Sequence, residues 1–313
     1  MQNKAVVFPG QGSQRVGMAD ALVENFQTAE EVVDEIESAI SYEILSIMKT
    51  GPIEELTKTN NAQIAIFAMS IVILRVLATD FGFDVGNIGI TKYMAGHSLG
   101  EYTALCASGA LPLHEAAKLV MARGRIMSKF SNDENLGMVA IIGVPFEELR
   151  EIVTNNCVIA NDNSDVQVVI SGLDSEIEIV SSRARAIGAK KIIRLNTAGA
   201  FHSPFMVEAN RRFIGEALSK LNLSDPCVPI IMNATALPVS NAEGMYGPLA
   251  AQMVSTVKWR STIDYMVTSG VDTVIEIGYG GILTNISKRS YPNVKMLCLG
   301  TIADIEEFMM KDS

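Results

Sequence analysis

Gly96-His97-Ser98-Leu99-Gly100 is the stretch on which the reading of this chain turns. A G-x-S-x-G pentapeptide marks a sharp turn from strand into helix that holds its serine strained and exposed. A helix is predicted from Leu99 to Ser108, which would set free N–H groups and the positive end of its dipole beside Ser98.

On the N-terminal side of the pentapeptide the chain reads as strand, glycine turn and helices. Ala5-Val6-Val7-Phe8 is a short apolar strand, and Pro9, Gly10 and Gly12 make a turn of the next segment. Residues 18–37 and 64–77 have helical composition; the second is apolar all round and belongs at the centre of the fold. From residue 136 the rhythm changes. Strands are expected at 138–142, 157–160, 166–171 and 190–195, helices at 146–154 and 175–187, and a turn at Asn161-Asp162-Asn163-Ser164. That order, βαββαβ in about 60 residues, is the ferredoxin-like unit. Beyond Thr197 buried strands at 229–232 and 273–277 return, the latter entering Gly278-Tyr279-Gly280-Gly281 and a helix, as in a parallel sheet. The expected fold is therefore α/β. A large α/β-hydrolase-like subdomain with a central parallel sheet takes residues 1–130 and 198–313, and a small ferredoxin-like subdomain, 131–197, is inserted into it.

Composition narrows the function. The chain has 313 residues, 48% hydrophobic and 19% charged, which suits an enzyme with a deep core. A net charge of −10 argues against nucleic acid. The apolar run 64–74, interrupted by Ser70, falls short of the roughly 20 residues a membrane span needs, and the run 5–8 is too short for a signal peptide. Cys106, Cys157, Cys227 and Cys298 are scattered without metal-ligand spacing. They read as reduced thiols of a cytoplasmic protein, and no metal or tightly bound cofactor is expected. Nothing demands more than a monomer.

A reactive serine needs a base, and there are three histidines: His97, His114 and His202. His97 adjoins Ser98 on the tight turn, where successive side chains diverge. His114 lies near a helix start. His202, in an irregular stretch at the junction of the two subdomains, is the candidate base, because loops at such junctions line clefts. Arg123 lies in the helical run 113–130; charge alone leaves it open between a surface residue and a carboxylate binder.

Several stretches taken in order carry a resemblance. They are Phe8-Pro9-Gly10-Gln11-Gly12-Ser13-Gln14, Ala62-Gln63, Ala95 to Tyr102, Arg123-Gly124, Gln167 to Gly172, Phe201-His202-Ser203, and Gln252 with Trp259. Over nearly its whole length the chain resembles the malonyl-CoA:acyl carrier protein transacylases and the acyltransferase domains of polyketide synthases. The resemblance implies that Ser98 carries the malonyl ester and His202 is its base. It implies that the backbone carbonyl of Gln252 orients His202, that the N–H groups of Gln11 and Leu99 form the oxyanion hole, that Arg123 binds the malonyl carboxylate, and that Gln63 is a further substrate-binding residue. Phe201 in Ala-Phe-His implies malonyl over methylmalonyl by crowding the α-carbon. Malonyl-CoA is the implied donor, and the phosphopantetheine of an acyl carrier protein the acceptor. Because carriers are acidic, as this chain is, docking asks for a local basic patch, with Lys190, Lys191, Arg194 and Lys129 as candidates.

The sequence departs from the family at Thr256, Tyr279 and Asp165-Val166, all turn positions. One alternative is a serine hydrolase or thioesterase, whose triad would draw its acid from Asp162, Asp165 or Asp174. Others are a binding scaffold without activity and a free-standing acyltransferase of a polyketide assembly line.

Overall fold

The computed structural model describes residues 3–87, 89–130, 135–197 and 199–312. The expected subdomain junctions, 131–134 and 198, lie outside the described residues.

Among the described residues, ten strands form two sheets. β1 (Lys4–Phe8), β2 (Thr91–Gly96), β7 (Ile230–Ile231), β8 (Pro238–Val239), β9 (Thr273–Ile277) and β10 (Lys295–Leu299) make a six-stranded sheet in the order β10-β9-β1-β2-β7-β8. All its pairings are parallel except the β7/β8 edge hairpin. β1 sits at its centre and explains its own composition. Ala5 and Val7 face one apolar cluster, with Trp259 and Ile263, while Val6 and Phe8 face the main core. A strand covered on both faces is apolar without alternation. The helix Thr59–Thr79 fills that main core. It is long and apolar enough by composition to cross a membrane, yet most of it is buried inside the fold. The hydroxyl midway along it, Ser70 Oγ, donates to the Ile277 carbonyl at 2.9 Å.

β3 (Leu136–Ile142), β4 (Cys157–Ser164), β5 (Gln167–Leu173) and β6 (Lys191–Arg194) form the second sheet, antiparallel throughout, in the order β4-β5-β3-β6. With helices Phe146–Arg150 and Asp174–Ala186 this gives βαββαβ. One face packs Val139, Ile141 and Ile170 against Ile177 and Val180. On the other, Met138, Ala140, Ala160 and Val169 join the main core, so the small sheet is apolar on both sides.

Local expectations shift in three places. The helical stretch 18–37 is two helices, Asp20–Asn25 and Gln27–Ile40, because Phe26 is extended and packs its ring on Phe81. The helix at 146–154 stops at Arg150, and Thr154 instead bridges to Cys157. The expected turn 161–164 is strand: β4 continues to Ser164, and Asp165-Val166 makes the turn. Polar residues there suggested a loop, but two of them have interior partners. Asp162 accepts a forked pair from Arg260, with Nη2 at 2.9 Å, and Asn163 meets His97. Main-chain bonds Asp162 N–H to Val257 O and Val257 N–H to Ala160 O stitch this strand to the large sheet's side of the molecule.

Candidate active site

Three neighbouring parallel strands deliver the site at their carboxyl ends, where open α/β sheets hold their ligands. β1 runs into Gln11, β2 into Ser98 and β7 into Asn233. The two glycines around Ser98 are there for space rather than for backbone angle. A Cβ on Gly96 would lie 1.8 Å from the Gly100 carbonyl carbon, and one on Gly100 would lie 2.1 Å from the Phe8 oxygen. The left-handed residue is Ser98 itself, at φ +52°. Its N–H donates to Asn233 Oδ1 at 2.7 Å, and Asn233 Nδ2 donates to the Gly96 carbonyl at 2.6 Å, so one side chain spans the turn.

His202 is also left-handed, at φ +55°. Its Nε2 lies 2.8 Å from Ser98 Oγ, and its Nδ1 lies 2.9 Å from the Gln252 carbonyl and 3.2 Å from the Ser255 carbonyl. Carbonyls only accept, so the hydrogen belongs on Nδ1 and the Nε2 lone pair faces the serine hydroxyl. Burial, with Arg123 second, brings the His202 pKa down to about 3, so the ring is neutral at neutral pH. A triad of the hydrolase kind would want a carboxylate on Nδ1. Asp162 is instead held by Arg260 and Asp174 by Arg194, and carbonyls take that place.

Arg123 projects from the helix Leu113–Lys129 and is 1% exposed. Gly124 beside it allows the close approach to the helix Thr59–Thr79: a Cβ there would stand 2.9 Å from the Asn60 Cα. Nη1 donates to Gln63 Oε1 at 2.8 Å, and Nη2 donates to Gln252 Oε1 at 2.9 Å and to Ser98 Oγ at 3.1 Å. The guanidinium carbon sits 5.1 Å from the centre of the Tyr102 ring. Among the described residues its hydrogen-bond partners are all neutral, and Nε has none. A buried cation held this way suits an incoming anion.

Gln11, Gln63, Ser98, Leu99, Arg123, Phe201 and His202 line one cavity, which Met138, Asn161 and Leu195 of the small unit close from the other side. Gln252 stands behind Arg123 and His202. Among the described residues neither the Gln11 nor the Leu99 N–H has a hydrogen-bond partner, leaving both available to an oxygen. His97 diverges from Ser98, as the turn requires, but borders the same cavity, with Nε2 2.9 Å from Asn163 Oδ1. His114 is largely exposed beside Glu115. Of the basic candidates, Arg194 is paired with Asp174, and Lys129 borders a separate depression with Arg125 and Arg212.

Sequence reasoning missed Asn233, Glu101, Tyr102 and Ser255 as site residues. A signal existed for Glu101, a lone acid in an otherwise uncharged helix start. The carbonyl of Ser255 and the clasp of Asn233 leave no mark on residue type.

Comparison with known proteins places this geometry. The acyl transferase domain matches residues 5–306. A malonyl CoA-acyl carrier protein transacylase of Bacillus subtilis is 35% identical over 320 residues, covering 100% of this chain and 77% of the relative. The Escherichia coli K12 protein of the same description is 33% identical, covering 92% and 93%. Among solved structures, the acyl-carrier-protein-S-malonyltransferase of Bartonella henselae superposes with a TM-score of 0.93 at 37% identity, covering 99% of each chain. A malonyl-transacylase solved in complex with its type II PKS acyl-carrier protein gives 0.92 at 30% identity, covering 98% of this chain and 99% of that one. Matched from end to end in sequence and in backbone, the chain belongs to the acyl transferase domain family.

Proposed function

We propose that this protein moves a malonyl group from malonyl-CoA to the phosphopantetheine thiol of an acyl carrier protein, through an ester on Ser98, and so supplies fatty acid synthesis. The observation that carries the reading is the buried Arg123 fork, 3.1 Å from Ser98 Oγ and, among the described residues, bonded only to neutral groups. A donor with a free carboxylate three carbons from its thioester sulfur satisfies both ends of this arrangement. A saturated acyl chain leaves the cation unpaired. The relatives described as malonyl transacylases support the same donor and acceptor.

In the first half-reaction His202 Nε2 takes the Ser98 proton as Oγ attacks the thioester carbonyl. The oxyanion rests on the N–H groups of Gln11 and Leu99; losing one such donor typically costs about 10² to 10³ in rate. Collapse expels the coenzyme A thiolate, which takes the proton from His202, and malonyl-Ser98 remains. In the second half the carrier thiol gives its proton to His202, its sulfur attacks the ester, and Ser98 leaves with the proton returned. The carbonyls of Gln252 and Ser255 keep the imidazole oriented throughout. Phe201 borders the acyl cavity and disfavours an α-methyl branch. Thr197 lines both this cavity and a wider depression with Lys58 and Asn196, a route for the long pantetheine arm. Four scattered thiols without disulfides suit action in the reducing cytoplasm.

A second reading is the same transfer serving a polyketide assembly line, favoured by the likeness to the transacylase solved with a type II PKS carrier. Comparing transfer rates to fatty-acid and polyketide carriers separates the two. The test of the reaction itself is intact-mass analysis after malonyl-CoA, followed by peptide mapping. One malonyl group on the peptide holding Ser98, discharged by holo-carrier and absent in Ser98→Ala, is expected. An unmodified wild-type chain overturns the reading.

A further inference from the structure

Glu101 is fully buried directly after the pentapeptide, and no transfer step uses it. Its oxygens serve two different residues. Oε1 accepts the Asn233 N–H at 2.6 Å, and Oε2 accepts Gln252 Nε2 at 2.7 Å. Each of those residues grips the main chain of Ser98: Asn233 Oδ1 takes its N–H, and Gln252 Nε2 donates to its carbonyl at 2.7 Å. The far end of the Gln252 amide, Oε1, accepts from Arg123 Nη2 at 2.9 Å.

We propose that Glu101 is a positioning residue for donor selection: through the Gln252 side-chain amide it sets the Arg123 guanidinium where the donor carboxylate binds. The inference rests on the malonyl reading above. A glutamine amide can be turned over, exchanging its oxygen and nitrogen. As observed, each contact joins a donor to an acceptor. Turned over, the NH₂ would face the guanidinium, donor against donor, and Oε1 would face the Ser98 carbonyl and the Glu101 carboxylate, acceptor against acceptor. The Ser98 carbonyl alone weakly prefers the observed state. An ionised acceptor makes a hydrogen bond roughly twice as strong as a neutral one and adds a penalty on the reverse. Burial pushes the Glu101 carboxyl up to about 7, while the Asn233 and Gln252 donors and Arg123 pull the other way. With both oxygens accepting, the ionised form is the one these contacts fit.

Glu101→Gln keeps the size and removes the charge. Once its oxygen accepts from Asn233, its NH₂ opposes the Gln252 NH₂, which is relieved by turning Gln252 over and withdrawing Oε1 from Arg123. The measurement is kcat/KM for malonyl-CoA against acetyl-CoA in the full chain with holo-carrier. The expected result is a malonyl-to-acetyl ratio about tenfold or more below wild type. A merely structural role lowers both donors by one factor and leaves the ratio in place, which overturns the inference. Glu101→Asp, too short to hold Asn233 and Gln252 together, is the second variant and is judged by the same ratio should Glu101→Gln not fold. A wild-type chain with no preference for malonyl fails the donor reading itself, so the two failures are told apart.

Discussion

The six-stranded sheet reaches the cavity with the ends of its parallel strands, whereas the four-stranded antiparallel sheet meets it with single residues in or beside three strands, Met138, Asn161 and Leu195. At the strand ends of the first, Ser98 is left-handed, its main chain clasped by Asn233 and Gln252, and the turn has no room for side chains at Gly96 and Gly100. Along the second, β4 lays Asn161, Asp162 and Asn163 against Val257, Arg260 and His97, its register against β5 shifting on either side of Asn161 and Asp162. The difference is one of labour. Strained turns fix reacting atoms, and a docked strand supplies a wall. Every group to which proton transfer or charge binding is assigned belongs to the large sheet's part of the chain.

The strongest attack on this division is Arg123→Ala. Malonyl-over-acetyl preference should fall by about 2–5 kcal/mol, the scale of truncating one partner of a buried charged contact, read from the ratio of kcat/KM values. An unchanged ratio would move donor choice to the other wall. Phe201→Ser should let in methylmalonyl, cutting discrimination by roughly 1–3 kcal/mol in a competition between the two donors; no change would leave Phe201 as packing. The buried base gives a pH test. Native His202 stays neutral down to about 3, whereas the unfolded chain takes up that proton near 6.5. Between those values the unfolded state binds more protons, so this share of stability is whole above 6.5 and is lost as pH falls below it. In urea unfolding, the advantage of wild type over His202→Asn should shrink by about 1.4 kcal/mol per pH unit from pH 6 to 5. A pH-independent difference would mean an imidazole in an ordinary watery setting. The smallest effect belongs to the small sheet. Asn163→Ala should cost about 1 kcal/mol of stability and leave kcat nearly intact, and a loss above about tenfold would draw that sheet into the chemistry.

How far the sequence carried depended on what kind of fact was at stake. Strand β9, the buried helix at the centre and the βαββαβ order were legible, since burial on two faces and turn residues are written in composition. The pair Ser98 and His202 was legible because so few histidines compete. The run at 161–164 misled, since Asn and Asp favour both turns and docking contacts, and only the position of Arg260 and His97 in space decides between them. Glu101 was visible as an odd acid, but its meaning needed the side-chain amide of Gln252, 151 residues away. The second carbonyl behind His202 is backbone and has no letter.

Ser98 and His202 both sit on backbone that L-residues avoid, at φ +52° and +55°, at a cost of about 1–2 kcal/mol each. Glycine would occupy either position at ease. At 98, where only a hydroxymethyl group is lost, glycine would release that strain and take away the proposed nucleophile, whereas at 202 it would also empty a buried, hydrogen-bonded place; a search that rewards heat resistance alone would therefore drift toward glycine at 98 and keep the imidazole at 202.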